Sequence, residues 1–378
     1  AMTLTATPFT VPLASGKPDF AKASGDASLK MGIQGRTLVN NVVLKGEGTE
    51  VRNIGTVGLE NVMVSADVPL QALAAGSTPK LAKATVTAGV LGGPDRKIVD
   101  LNAGGQVNLA AGKPQGDLNA DLSLKVLDAR WLDTFLNQPG LIGDGIGETA
   151  TVEAKALVRF PKDGAAVPAG SAGAPPAFES AAVTASIKSP RLSTTQPLKA
   201  TALPDRFALD APMVAKWNID PAWANKHLLT PKDAKPGYKL PAQFAAATDL
   251  TVSVFKLGAA TGSDNAPMKP GVFTLDASVE SPGTTFAVGE GKKASQAVLK
   301  NLKTRITGGK DPGVLGFSLT IDEAAGGPGP GGKPAVSASG GVYSVSDETG
   351  KLTPDKAKIT ATANATAISV ALVDAIAN

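Results

Sequence analysis

The chain has 378 residues, 43% of them hydrophobic and 19% charged, so it has material for a sizeable core in roughly two or three domains or one repetitive body. It has no Cys and a single His, His227, which excludes thiol catalysis, disulfides, Cys-bearing metal centres and any His-rich metal cluster. Its net charge of +4, from 37 basic and 33 acidic residues, is spread singly, without the basic footprint and stacking aromatics of a nucleic-acid binder.

The first ten residues lack the basic start and apolar block of a signal peptide. No run of about 18 apolar residues exists to cross a bilayer as a helix. The Ala1-Met2 opening and the stop at Asn378 inside a patterned segment read as a piece of a longer protein, with a membrane anchor expected outside it. Ser65–Ala75 is the first helix-like stretch, giving a short helix near 68–75 after Asp67. Leu81–Val90 and Asp117–Val126 then alternate with period two; in the second, Leu118, Leu122, Leu124 and Val126 share one face, which predicts strands. Val126–Leu136 predicts a helix near 129–136 capped by Asp128, with Trp131 as apolar anchor and Phe135 one turn on. The Gly-rich run Leu141–Glu148 lacks both phosphate-loop and EF-hand spacing and reads as a turn before the strand Thr149–Phe160.

Gly164–Pro176 is low in complexity and sits in a loop expected over 161–180, dividing a first β-rich region (1–160) from a second (181–378). Ala182–Lys188 resumes strand patterning. Asn218–Leu228 predicts a helix near 221–229, with Asp220 as cap, Pro221 at the first helical position, Trp223 as anchor and His227 at the edge of its contact. Asp249–Leu257 and Phe273–Val279 are further strands. The basic stretch Lys292, Lys293, Lys300, Lys303 and Arg305 reads as a solvated face, and Ala324–Pro334 as a second mobile loop. Ala367–Ala377 predicts a last helix near 370–377, after Ser369. These helices are too short to persist alone in water. They are therefore expected to lie across the ends of successive sheet segments, giving a mainly β fold: antiparallel sheet repeats, as a curved groove or stacked sheets, with a few short capping helices.

Candidate chemistry is sparse. Asp322-Glu323 and Asp347-Glu348 read as turn acids rather than a glycosidase pair, and no G-x-S-x-G elbow accompanies His227. No catalytic, cofactor-binding or metal-ligating residue is assigned, no cofactor is expected, and the chain is expected not to be an enzyme.

The strand–helix copies, together with Gly340–Leu352 and the alternating Ala357–Ala363, resemble the AsmA-like superfamily, which includes the TamB-type proteins of bacterial envelopes. The L-V-D-A-I stretch at Leu372–Ile376 is similar to that superfamily's short helices, and in texture the chain is most similar to the large envelope proteins of planctomycete-type bacteria. The resemblance covers about half of the chain, at 118–160, 210–257 and 340–378. It implies an elongated sheet forming an apolar groove in the periplasm or cell envelope, lipid acyl chains as partners, and a role in lipid transport between membranes or outer-membrane maintenance. The competing expectation is a structural or adhesive surface protein whose strands fill sandwich-like cores. The two differ in whether the apolar strand faces are covered.

Overall fold

A computed structural model of the chain describes all residues except 1, 7, 46–50, 137, 162–177, 205, 232–234, 236–238, 241, 261–273, 289–294, 309–313, 325–326, 345–356 and 367–378. The fold is mainly β, and every described pairing whose register is defined is antiparallel. The chain divides into two units. The first comprises Ala1–Gln138, Glu148–Lys188 and Ala200–Pro204; the second comprises Pro139–Gly147, Ser189–Lys199 and Asp205–Asn378.

The first unit is a meander. Its strands are β1 (Met2–Ala6), the small hairpin β2 (Leu13–Ala14) and β3 (Lys17–Pro18), β4 (Asp26–Lys45), β5 (Val51–Pro69), β6 (Lys80–Leu91), β7 (Lys97–Ala110), β8 (Lys113–Val126), β9 (Ala150–Phe160) and β10 (Ser180–Lys188). β1 pairs with β4, and from β4 to β10 each strand pairs with the next. Neighbours in sequence are thus neighbours in space, the topology that short Gly- and Pro-bearing connections favour. Between β8 and β9 the chain forms the helix α1 (Ala129–Leu136).

The second unit carries α2 (Gly143–Ile146), β11 (Leu192–Gln196), β12 (Leu198–Leu203, shared with the first unit), β13 (Arg206–Ala211), β14 (Met213–Ile219) and α3 (Pro221–Ala224). It continues through β15 (Ala242–Phe244), β16 (Thr248–Ala260), β17 (Thr274–Val288), β18 (Ser295–Gly308), β19 (Leu315–Ala324), β20 (Gly327–Pro328), β21 (Val336–Tyr343) and β22 (Lys358–Ala365). Its spine runs β11–β14–β16–β17–β18–β19–β21–β22. β13 also pairs with β16, β15 with β17 and β20 with β19.

Three expectations change. Asp67 is not a helix cap: it lies inside β5, paired with Ser28 on β4 and Lys83 on β6, and its carboxylate accepts the Ser28 hydroxyl. Pairing on both sides keeps its backbone extended, and only a 3₁₀ turn at Leu70–Leu73 follows. The run Leu141–Glu148 is not a plain turn, because Gly143–Ile146 closes one helical turn. Of the second low-complexity stretch, Gly327–Pro328 pairs with β19 and Pro330–Gly332 forms a 3₁₀ turn. The first low-complexity segment, Phe273, Asp347-Glu348 and the last predicted helix with Ser369 lie outside the described residues.

Candidate apolar ligand face

In an antiparallel pair, directly opposed residues point to the same side of the sheet, so the register assigns every side chain to a face. In the first unit one row reads Leu29, Ala66, Ala84, Gly105, Ala120, Ala156 and Val183 from β4 to β10. The next row on that side reads Met31, Val64, Val86, Ala103, Leu122, Ala154 and Ala185. The row between them faces the other way and reads Lys30, Ser65, Thr85, Gly104, Asp121, Lys155 and Thr184. One face is therefore apolar across seven strands and the other is polar.

None of the fourteen residues in the two apolar rows is buried: most are half-covered by their neighbours, and Leu29 is 46% and Leu122 38% exposed. At the centre, where the rows hold Ala and Gly, the surface sinks into an open depression of about 390 Å³ running from Ala84 past Gly105 and Ala120 to Ala156. It crosses three inter-strand gaps, or about 14 Å at ~4.8 Å each.

The second unit repeats the arrangement. Met213, Val254, Ala277, Ile306, Phe317, Gly340 and Ala361 form an apolar row in which none is buried. Lys216, Thr251, Glu280, Lys303, Thr320, Ser337 and Asn364 form a polar row on the reverse. Of the basic stretch, Lys292 and Lys293 lie outside the described residues; Lys300, Lys303 and Arg305 are neutralised strand to strand, the last two on that polar side. Lys300 meets Glu323 at 2.6 Å, Lys303 meets Glu280 at 3.7 Å, and Arg305 meets Asp276 at 2.7 Å. The Arg305 guanidinium hydrogen-bonds the Asp276 carboxyl and holds its pKa below the ordinary range, against a smaller opposing effect of burial. Asp322 and Glu323 thus lie in a strand, where Glu323 is an ion-pair partner.

Each apolar face is closed at one end by a tryptophan on a short helix. In the first unit Trp131 of α1 clusters with Ile54, Ile98 and Val99, and Val90 and Leu124 pack against the cluster. Val90, Val99 and Leu124 belong to the apolar face. The indole lies flush on Gly92, where a Cβ would overlap it. Asp128, just before α1, is ion-paired with Arg96.

In the second unit Trp223 of α3 clusters with Ile219 and Ala224, against Trp217, Leu250, Phe244 and Leu141. Its ring meets Trp217 edge-on with centroids 5.0 Å apart, and its N–H donates to the Leu141 carbonyl at 2.8 Å. The glycine beneath it is Gly145, whose Cβ would stand 2.7 Å from the indole nitrogen. His227 sits one turn on, 5.5 Å from the Trp223 ring, in the wide turn Asn225–Leu229. Sequence reasoning passed over Asn225, whose amide bonds both the N–H (2.7 Å) and the C=O (3.1 Å) of Phe244 and so ties β15 to this helix.

Asp220 caps α3 as its spacing predicts, accepting from the N–H groups of Ala222 (2.9 Å) and Trp223 (3.1 Å). Arg191 joins it at 3.0 Å. Burial pulls the Asp220 pKa up, but the hydrogen bonds from Trp223, Arg191 and Ala222, with the Arg191 charge, outweigh it and leave the value below normal. A carboxyl with a depressed folded pKa contributes stability that is complete above its unfolded value, about 3.9. That stability fades as the pH falls through the lower folded value. Asp220→Ala should cost about 1 kcal/mol at neutral pH and less in strong acid, where the carboxyl is protonated and its pairing with Arg191 is lost. Urea melts of both chains from pH 7 down into acid check this; a difference that does not shrink as the pH falls contradicts it.

No protein-family model, curated protein or solved structure matches the chain. Among the described residues no group of three or more acidic or His side chains could hold a metal ion, and no helix is long and apolar enough to cross a membrane. Glu148 pairs with Arg130 at 3.1 Å, and the recess beside His227 holds the Arg191–Asp220 pair together with Lys226, which donates to the Pro139 carbonyl. The feature of these units that stands apart from ordinary packing is the uncovered apolar face.

Proposed function

We propose that the chain is a non-enzymatic lipid-handling part of a bacterial cell-envelope protein, whose apolar sheet face shields acyl chains during lipid transport between membranes or outer-membrane maintenance. The observation that carries this reading is the pair of seven-strand rows in the first unit, apolar throughout and with no member buried. A filled sandwich would bury such rows, and contiguous uncovered apolar surface marks a binding site. The depression, about 14 Å along the direction that crosses the strands, suits one acyl chain, whose reach is about half of a ~30 Å hydrocarbon core. Ala and Gly at its floor leave room for methylenes, while the lateral Leu and Val side chains supply contact. The resemblance to the AsmA-like superfamily supports the same reading, and with it the envelope location.

Burying a methylene is worth up to about 0.8 kcal/mol, roughly fourfold in affinity. Affinity for saturated fatty acids, measured by displacement of a fluorescent acyl probe, should therefore climb with chain length and level off once the depression is filled. Solvent extraction of the purified protein followed by mass spectrometry should release phospholipid. Protein that carries no lipid and takes up no probe overturns the reading.

A further inference from the structure

Among the described residues β22 pairs with β21 alone, and it has the form of an unguarded docking edge. All eight of its residues are exposed, with Ile359 at 69%. It pairs with β21 from Val336↔Ala365 to Tyr343↔Lys358 without a bulge. Sheet edges are ordinarily blunted by Lys, Pro, bulges or inward charges. β22 has only Lys358, at its first position, and none of these devices from Ile359 to Thr366.

The backbone shows which groups point outward. Thr366 donates its N–H to the Ala335 carbonyl, so the even-numbered residues turn their N–H and C=O groups toward β21. Ile359, Ala361, Ala363 and Ala365 therefore turn theirs away from it.

We infer that β22 is a self-association edge that takes the β22 of a second copy, antiparallel, about a two-fold axis at Thr362. This register matches all four outward-facing residues with one another: Ile359 opposite the other copy's Ala365 and Ala361 opposite its Ala363, each pair formed twice. Four such pairs exchange about eight main-chain hydrogen bonds. The same register sets Thr360 against Asn364 and Lys358 against Thr366 on the polar side, so no like charges oppose. A shift of one residue would put apolar side chains on the polar face. A shift of two would leave Ala365 opposite Ala357, outside the strand. The contact is isologous, so it closes as a dimer instead of growing into a fibre. The two-fold axis stands normal to the sheet, and the apolar row ending at Ala361 continues into the other copy. This inference stands apart from the lipid reading, because the edge pairs whether or not the face carries a ligand.

The chain lacks Cys, so a single introduced Cys reports on the register. At the axis, position 362 forms a non-hydrogen-bonded pair with its Cα atoms about 4.5 Å apart, within disulfide reach. Thr362→Cys should form a covalent dimer under mild oxidation. Thr360→Cys should not, and Thr360→Cys with Asn364→Cys should. In sedimentation velocity the unmodified protein should dimerise with rising concentration. Ala363→Pro, which removes an outward N–H, and Ala363→Lys, which adds an edge charge, should both stay monomeric with an unchanged far-UV spectrum. A protein that remains monomeric without a Thr362→Cys cross-link overturns the inference. So does a dimer that survives both Ala363 variants, or Thr360→Cys linking as readily as Thr362→Cys.

Discussion

Trp131→Ala lowers the stability of the first unit by about 3–5 kcal/mol, the range for deleting a large buried aromatic side chain. Trp131 is 8% exposed and is the central large side chain of the cluster at the end of the apolar face. Without it Val90, Val99 and Leu124 lose their cover, and α1, eight residues long, loses the contact that makes a helix of that length worth forming. Trp223→Ala has an effect of similar size in the second unit, where it also leaves the Leu141 carbonyl without its indole donor. The two units need not unfold together, so a single midpoint is a poor readout. Hydrogen exchange resolved by segment is better: Trp131→Ala should strip protection from β6–β8 and leave β16–β18 unchanged, with Trp223→Ala showing the reverse. If Trp131→Ala leaves β6–β8 as protected as before, the helix is an appendage and not a stopper.

Gly105→Leu should weaken acyl-probe binding at least tenfold while the fold stays intact. At Gly105 an added Cβ meets nothing closer than 3.5 Å, the Asn119 carbonyl, with Leu118 and Ala120 beyond it. The backbone tolerates the side chain, and replacing Gly also reduces the freedom of the unfolded chain, which favours folding by up to about 1 kcal/mol. The new side chain then occupies the depression that Ala84, Gly105, Ala120 and Ala156 line. Gly92→Leu is the contrasting variant, since its first added carbon already overlaps the Trp131 indole, and overpacking of this kind costs about 1–3 kcal/mol or more. Isothermal titration with a long-chain fatty acid, beside urea melts, separates the two. Undiminished binding by Gly105→Leu would falsify the placement of the ligand on this face, whatever happens to stability.

Much of the secondary structure is legible residue by residue. Leu118, Leu122, Leu124 and Val126 alternate because they lie on a two-sided strand, and β8 extends through all of them. Asp220-Pro221 announces a helix start, and the carboxylate caps α3 as that pairing implies. The same local logic misleads at Asp67, which is followed by Pro69 and Leu70 just as a cap would be. There the ladders to β4 and β6 hold the backbone extended, an interaction with partners about forty residues upstream and sixteen downstream.

Two-faced strands, the few short helices carrying Trp131 and Trp223 that interrupt them, and the exclusion of thiol chemistry and of a His-rich metal cluster are readable from the chain alone. All three follow from composition or from periodicities spanning a few residues. Long-range pairing alone aligns Ala84, Gly105, Ala120 and Ala156 into one sunken row, sets Gly92 and Gly145 as the floors beneath the two indoles, and turns the backbone groups of Ile359, Ala361, Ala363 and Ala365 outward. The reason is physical: alternation says that a side chain has a side, but only strand register, set by long-range pairing and the bulges within it, says which other side chains share that side.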